Sequence, residues 1–159
     1  MTATISDCGK YRYRLERDVA PRGPVYAFFG VNPSTADASV DDATVRKWRG
    51  FVSRWGGSRF IVGNVFAYRA TDVRELATAS DPIGPLNSIH LRQIADEADV
   101  LVPCWGSRGK LPRHMRHHLT DCLSALRGFE KTVVSFGLSQ SGDPLHPLML
   151  GYSTELKSL

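Results

Sequence analysis

Four short segments of this chain carry the polar side chains best suited to chemistry. Asn32 follows Gly30 and Val31 and precedes Pro33 and Ser34. Asn64 interrupts the apolar run Phe60–Phe66. Trp105 and Gly106 lead into Ser107, Arg108, Gly109 and Lys110. His146 is followed by Pro147, Leu148 and Met149. An asparagine side chain offers both donors and an acceptor, and an amide inside an apolar run must be satisfied by backbone or by a ligand. A neutral histidine can donate to an oxygen on which negative charge develops. Each type also has an ordinary use, since Asn and Pro form turns and many loop histidines do nothing chemical.

Other chemistries find less support. No lysine stands beside these groups in a way that demands a Schiff base. The three cysteines, Cys8, Cys104 and Cys122, are far apart and form no CxxC pair, so neither a zinc knuckle nor an iron–sulfur cluster is suggested. Cys104 lies in an apolar run and reads as a small buried hydrophobe. His114, His117 and His118 have the i, i+3, i+4 spacing of a helical metal site, but Arg113 and Arg116 are interleaved. That cluster reads as a solvated basic face. No metal and no cofactor is expected.

The elements that would position these residues alternate. Four apolar runs read as buried strands: Val25–Phe29, Phe60–Phe66, Val100–Cys104 and Thr132–Phe136. Between them, Asp42–Trp55 sets Val45, Trp48, Val52 and Trp55 on one helical stripe, with Arg46, Lys47, Arg49 and Arg54 off it. Leu86–Ala98 follows the same logic with Ile89, Ile94 and Ala98. Leu111–Leu126 is a third helix, rich in Arg and His. Strands alternating with helices predict an α/β layered domain with a largely parallel sheet. In such a sheet the ligand crevice lies outside the carboxyl ends of the strands, so the four polar loops are expected to converge on one site.

The chain has 159 residues, with 42% hydrophobic and 23% charged, which fits one globular domain over residues 1–159. Its net charge of +4 leans toward an anionic partner such as nucleic acid, though many basic proteins have none. No apolar run approaches the ~20 residues that span a bilayer, and Met1–Arg17 has no signal-peptide core. A cytoplasmic protein without a membrane partner is expected.

At these residues the sequence resembles the uracil-DNA glycosylase superfamily. Gly30-Val31-Asn32-Pro33-Ser34 looks like its first active-site motif, in the Gly-x-Asn-Pro form of the mismatch-specific branch. "RFIVGNVFAYRA" looks like the strand carrying the base-reading Asn. "LVPCWGSRGK" is similar to the strand and Trp-Gly-Ser turn of the uracil enzymes, and "LHPLML" to the late His-Pro motif with an apolar wedge behind it. The four occur in order over roughly Val25 to Leu150. The chain also resembles an uncharacterised bacterial family of short proteins with an Asn-Pro-Ser-Thr-Ala-Asp signature. The departures are Asn32 where an acid is frequent, Ser34 after the Pro in place of Gly, and Leu148 where Ser is frequent.

The resemblance implies a three-layer α/β/α fold around a mostly parallel four-stranded sheet. It implies a monofunctional DNA glycosylase acting as a monomer on double-stranded DNA, with a role in repair or anti-phage defence. Such an enzyme flips a nucleotide out of the duplex, hydrolyses the N-glycosidic bond and leaves an abasic site. Asn32 would orient the water and His146 would stabilise the departing base. Gly30, Val31, Ser34 and Asn64 would bind the base, with Phe29, Trp48 and Phe51 as candidate stacking faces. Ser107, Arg108, Lys110 and Pro147 would meet DNA. Leu148 and Met149 would wedge into the stack or, alternatively, pack into the core. Uracil enzymes place a bulky Tyr after the Pro, where Ser34 stands here, so a C5-substituted pyrimidine becomes the expected substrate, a hypermodified phage cytosine among them. The alternatives are a non-catalytic binder of flipped bases and an N-glycosidase acting on free nucleosides or nucleotides.

Overall fold

Each of the four apolar runs forms a strand, and they lie together at the centre of one sheet. A computed structural model describes all residues, Met1–Leu159. Its strands are β1 (Thr2–Ile5), β2 (Arg12–Asp18), β3 (Val25–Gly30), β4 (Arg59–Asn64), β5 (Val100–Pro103), β6 (Thr132–Ser135) and β7 (Lys157–Ser158). Its helices are α1 (Ala43–Arg54), α2 (Asn87–Glu97) and α3 (His117–Arg127). The sheet order is β1-β2-β4-β3-β5-β6-β7. The central four, β4-β3-β5-β6, are parallel. β1 and β2 on one side and β7 on the other are antiparallel. The protein is therefore α/β, and the expected four-stranded sheet is corrected to seven strands.

One of the additional strands, β2, is hidden in the sequence by charge. β2 reads Arg-Tyr-Arg-Leu-Glu-Arg-Asp, without the apolar character of a buried strand, yet Tyr13, Leu15 and Arg17 are buried. Arg17 has no exposed surface. Its Nε donates to Asp41 Oδ1 at 2.6 Å, Nη1 to the Glu16 carbonyl at 2.8 Å, and Nη2 to the Asp37 carbonyl. A buried charge is tolerable only with such pairing. The consequence is mechanical, because Arg17 pins the segment between β3 and α1 to the neighbouring antiparallel strand.

Successive strand residues face opposite sides, and two core clusters follow. Ala27, Phe29, Ile61 and Leu101 pack with Ile94 and Ala95 of α2 and Leu119 and Leu126 of α3. Phe28, Phe60, Val62 and Val102 pack with Val45, Trp48, Phe51 and Val52 of α1. The first helix starts where Asp42 caps it, accepting from the Val45 N–H at 2.9 Å, as N-cap carboxylates do. Ile94 and Ala98 are fully buried, but Ile89 is 55% exposed. Ile89 lies five positions before Ile94, about 140° round the helix, so it leaves the stripe assigned to it. The third helix begins at His117 rather than Leu111, preceded by Pro112 and a 3-10 turn at Arg113–Met115. No helix is long and apolar enough to cross a membrane.

Candidate functional site

The carboxyl ends of the parallel strands open on a cavity of about 190 Å³, and the polar loops meet there. Its lining includes Gly30, Val31, Asn32 and Ser34 from the end of β3, Asn64 from the end of β4, Trp105 and Lys110 after β5, and His146. The register of the sheet brings the first two groups together, since Gly30 and Asn64 are Cα partners in the parallel β3–β4 pair. A Cβ at Gly30 would lie 2.8 Å from Asn64 Nδ2. The glycine therefore makes the space that the Asn64 amide occupies.

The two asparagines are held differently. Asn32 Nδ2 donates to the Pro33 carbonyl at 3.0 Å and to the Ala70 carbonyl at 2.8 Å. Its amide nitrogen thus fixes the loop, and its Oδ1 is left to accept from whatever enters the cavity. Asn64 is 4% exposed. Its side chain makes no hydrogen bond within the protein, although it lines the cavity. Its carbonyl and that of Val65 instead accept from Asn87 Nδ2 at 2.9 and 3.0 Å. The first residue of α2 thereby secures the strand end that presents Asn64.

His146 is a neutral imidazole of defined tautomer. Burial, then the nearby Lys110 charge, lowers its pKa below the ordinary 6.5, with Asp42 opposing. Its Nδ1 accepts from the Leu148 N–H at 3.2 Å, which places the proton on Nε2. The loop carrying it is clasped to the loop after β5. Gly106 N–H donates to the Pro144 carbonyl at 2.8 Å. Asp143, fully buried, accepts from the Arg108 N–H at 3.0 Å and from Arg108 Nε at 2.6 Å. Burial raises the Asp143 pKa, but hydrogen bonds from Arg108 and Ser141 outweigh it and hold the carboxyl below its usual value. Gly106 has φ +74°, and a Cβ there would come to 3.3 Å of His146 Cβ. The Trp-Gly-Ser turn needs glycine for both reasons.

Several expected roles are corrected by these positions. Phe29 and Phe51 are fully buried in the two cores and do not line the cavity. The aromatic walls are Trp48 and Trp105. Trp48 stacks on Phe28 at 5.2 Å between ring centroids. Leu148 and Met149 are exposed, Met149 at 91%, so core packing does not account for them. Pro147 is buried. Ser107 caps the turn Arg108–Lys110 by accepting from the Gly109 N–H, and Arg108 is engaged by Asp143. Arg46 donates to the Asp41 carbonyl, Arg49 to the Asp18 carbonyl and Asp41, and Lys47 lies 4.2 Å from the Tyr152 ring centroid. The basic face of α1 is therefore largely committed within the protein.

Arg12, Asp42, Thr44 and Val73 also line the cavity, and the sequence did not single them out as site residues. Arg12 sits on β2, whose strand character was masked. It is 3% exposed, donates Nη1 to the Ala36 carbonyl at 2.6 Å, and leaves Nε without a partner. Burial lowers its pKa to about 10, against the pull of Asp42, so it remains a cation at neutral pH. In the sequence Asp42 stands only as the first residue of the expected helix Asp42–Trp55. It gives the cavity a carboxylate that the first motif lacks.

Burial drives the Cys104 and Cys122 thiols up to about 12, which disfavours the thiolate at both.

No curated protein and no solved structure matches the chain. Residues 12–148 match the model of a protein family described as "Protein of unknown function (DUF1643)". That span begins at the cavity residue Arg12 and extends past His146 to Leu148, and the chain belongs to this family.

Proposed function

We propose that the protein is a monofunctional DNA glycosylase of uracil-DNA glycosylase type, acting on a flipped, C5-substituted pyrimidine. The observation that carries this reading is the meeting of Asn32, Asn64 and His146 in one cavity at the carboxyl end of the parallel strands. At about 190 Å³ the cavity lies below the ~300–1,000 Å³ of drug-sized ligand pockets, in keeping with a single small ring. The central strand order β4-β3-β5-β6 suits the three-layer arrangement that the resemblance implies.

The roles follow from which atoms are free. Asn32 Oδ1 accepts from the attacking water. Asp42 is a carboxylate in the same cavity, available to take the proton that water loses as its oxygen bonds to the anomeric carbon. The bonding pair of the broken C–N bond leaves with the base, and His146 Nε2–H donates to the oxygen on which that charge accumulates. Asn64 reads the base edge with both halves of its amide. Trp105 or Trp48 faces the ring. Leu148 and Met149, exposed beside His146, fill the gap in the stack. Ser34, small, leaves room beside C5, and a modified cytosine is excised in repair or in defence against phage.

A second reading is an N-glycosidase acting on free nucleotides. The buried cation Arg12, with an unpartnered Nε, and Lys110 at the same cavity favour it, because they would receive a phosphate.

The test is mass spectrometry of bases released from natural and phage DNAs, with single-turnover assays of Asn32→Ala. Release of a modified pyrimidine is expected, lost in the variant, with duplex affinity nearly unchanged. Equal excision by variant and parent removes Asn32 from the mechanism. Release from nucleotides but not from duplex DNA favours the second reading.

A further inference from the structure

The amino-terminal end of α3 brings three metal-ligating side chains together, away from the candidate cavity. One donor atom each from His117, His118 and Asp121 lies within 4.8 Å of the other two. The imidazole rings of His117 and His118 are 3.9 Å apart between centroids. This is not the trio that the sequence spacing offered. His114 lies in the 3-10 turn ahead of the helix, and what it contributes is its carbonyl, which lies 3.0 Å from His117 Nδ1. A carbonyl can only accept, so Nδ1 carries the proton and His117 Nε2 presents its lone pair outward. Ligating histidines are oriented in this way by an outer partner.

His118 is steadied from the other side, with its ring edge-on to Phe66 at 5.5 Å between centroids. His118 and Asp121 also line a groove of about 790 Å³ between α2 and α3. The groove gives an ion room for exogenous ligands, water among them.

We propose that His117, His118 and Asp121 form a binding site for a borderline divalent cation such as Zn²⁺, with its open coordination position toward the α2–α3 groove. Two imidazoles and a carboxylate are a donor set that zinc accepts, with bonds of ~2.0–2.2 Å. Tetrahedral geometry at those lengths requires donors about 3.4 Å apart. His117 and Asp121 are exposed, so their side chains are free to close that distance. The site is independent of the glycosylase reading. All three ligands belong to α3, and the site lies on the groove, where it serves a second ligand and plays no part in base release.

The experiment uses the full chain without an affinity tag, stripped with a chelator and titrated with Zn²⁺ by calorimetry. Substitution with Co²⁺ reports coordination geometry through its visible absorption. One ion per chain and a tetrahedral cobalt spectrum are expected. His118→Ala and Asp121→Asn should each weaken binding at least as much as the ~10–100-fold that loss of an outer partner costs. His114→Ala keeps the carbonyl and should bind like the parent. Circular dichroism of the stripped variants separates loss of a ligand from loss of fold. Absence of binding by the parent, unchanged binding in the His118→Ala, Asp121→Asn double variant, or an equal loss in His114→Ala overturns the assignment.

Discussion

The amide of Asn64 occupies the space that a side chain at Gly30 would fill. A Cβ at residue 30 would meet Asn64 Nδ2 at 2.8 Å, so the two residues form one unit across the β3–β4 pair. Gly30→Ala must displace the Asn64 amide, which on the proposed reading contacts the base. Stability is expected to fall by no more than the ~1–3 kcal/mol of an overpacked site. Excision should fall further, because a misdirected amide leaves polar groups of the base unpaired. At ~1–3 kcal/mol for one such group, that is roughly a five- to 150-fold loss. Thermal melts and single-turnover rates on the same preparation check both, and a variant that melts normally and excises normally removes Asn64 from the site.

Ser34 is the test of substrate size. If it faces C5 of the base, Ser34→Tyr overfills the pocket for bulky C5 substituents, at ~1–3 kcal/mol, or roughly a five- to 150-fold lower kcat/KM. Unmodified cytosine or uracil should suffer less. Competition between modified and unmodified bases in one duplex context measures the ratio, and an unchanged ratio means that Ser34 does not face C5.

His146 should titrate below 6.5, with burial as the first cause. The sign of the linkage is definite. A histidine with a lowered native pKa contributes stability that is full above the unfolded value of 6.5 and is lost as pH falls through the native value. Nitrogen chemical shifts of the imidazole should show the Nε2–H tautomer and a midpoint below 6.5. A midpoint at or above 6.5, or a proton on Nδ1, contradicts the bond from the Leu148 N–H.

Asp143 clasps the last two site loops through Arg108. Asp143→Ala leaves the Arg108 N–H without its acceptor, at ~1–3 kcal/mol; the guanidinium, on a side chain that is 43% exposed, regains water. A fall in melting temperature is expected at neutral pH, narrowing in acid. The carboxyl's contribution is present above its ordinary value of 3.8 and is lost as pH falls through the lower native one. Parallel pH–stability curves for variant and parent would show that the clasp carries no such energy.

The parts of this molecule that were legible in the sequence are those with one dominant signal. Val25–Phe29 and Phe60–Phe66 are buried on both faces and so read as apolar runs. Asn32 stands out in the sequence as a polar group just past a strand, Asn64 as an amide inside an apolar run and His146 as a loop histidine, and the parallel sheet brings them together. β2 was not legible because its Arg17 is buried through pairing with Asp41, and pairing leaves no mark on hydropathy. Arg12 was lost with it. Phe29 and Phe51 were assigned to the ligand because an aromatic residue near a motif looks the same in sequence whether its ring faces core or cavity. Ile89 failed on phase, and the His114 ring dropped out of its cluster because α3 starts three residues later than His114.

The cavity wall is drawn from residues as far apart as Arg12 and His146. A chain emerging from the ribosome therefore presents no partial site. β4 has to seat between β2 and β3, which leave the tunnel before it, and the loop bearing His146 arrives after all four parallel strands. Such non-local closure is slow. It also means that a cut within Thr78–Leu86 would place Arg12, Asn32 and Asn64 on one fragment and Trp105 and His146 on the other, so that any activity would report the reunion of two halves, each carrying only part of the cavity wall.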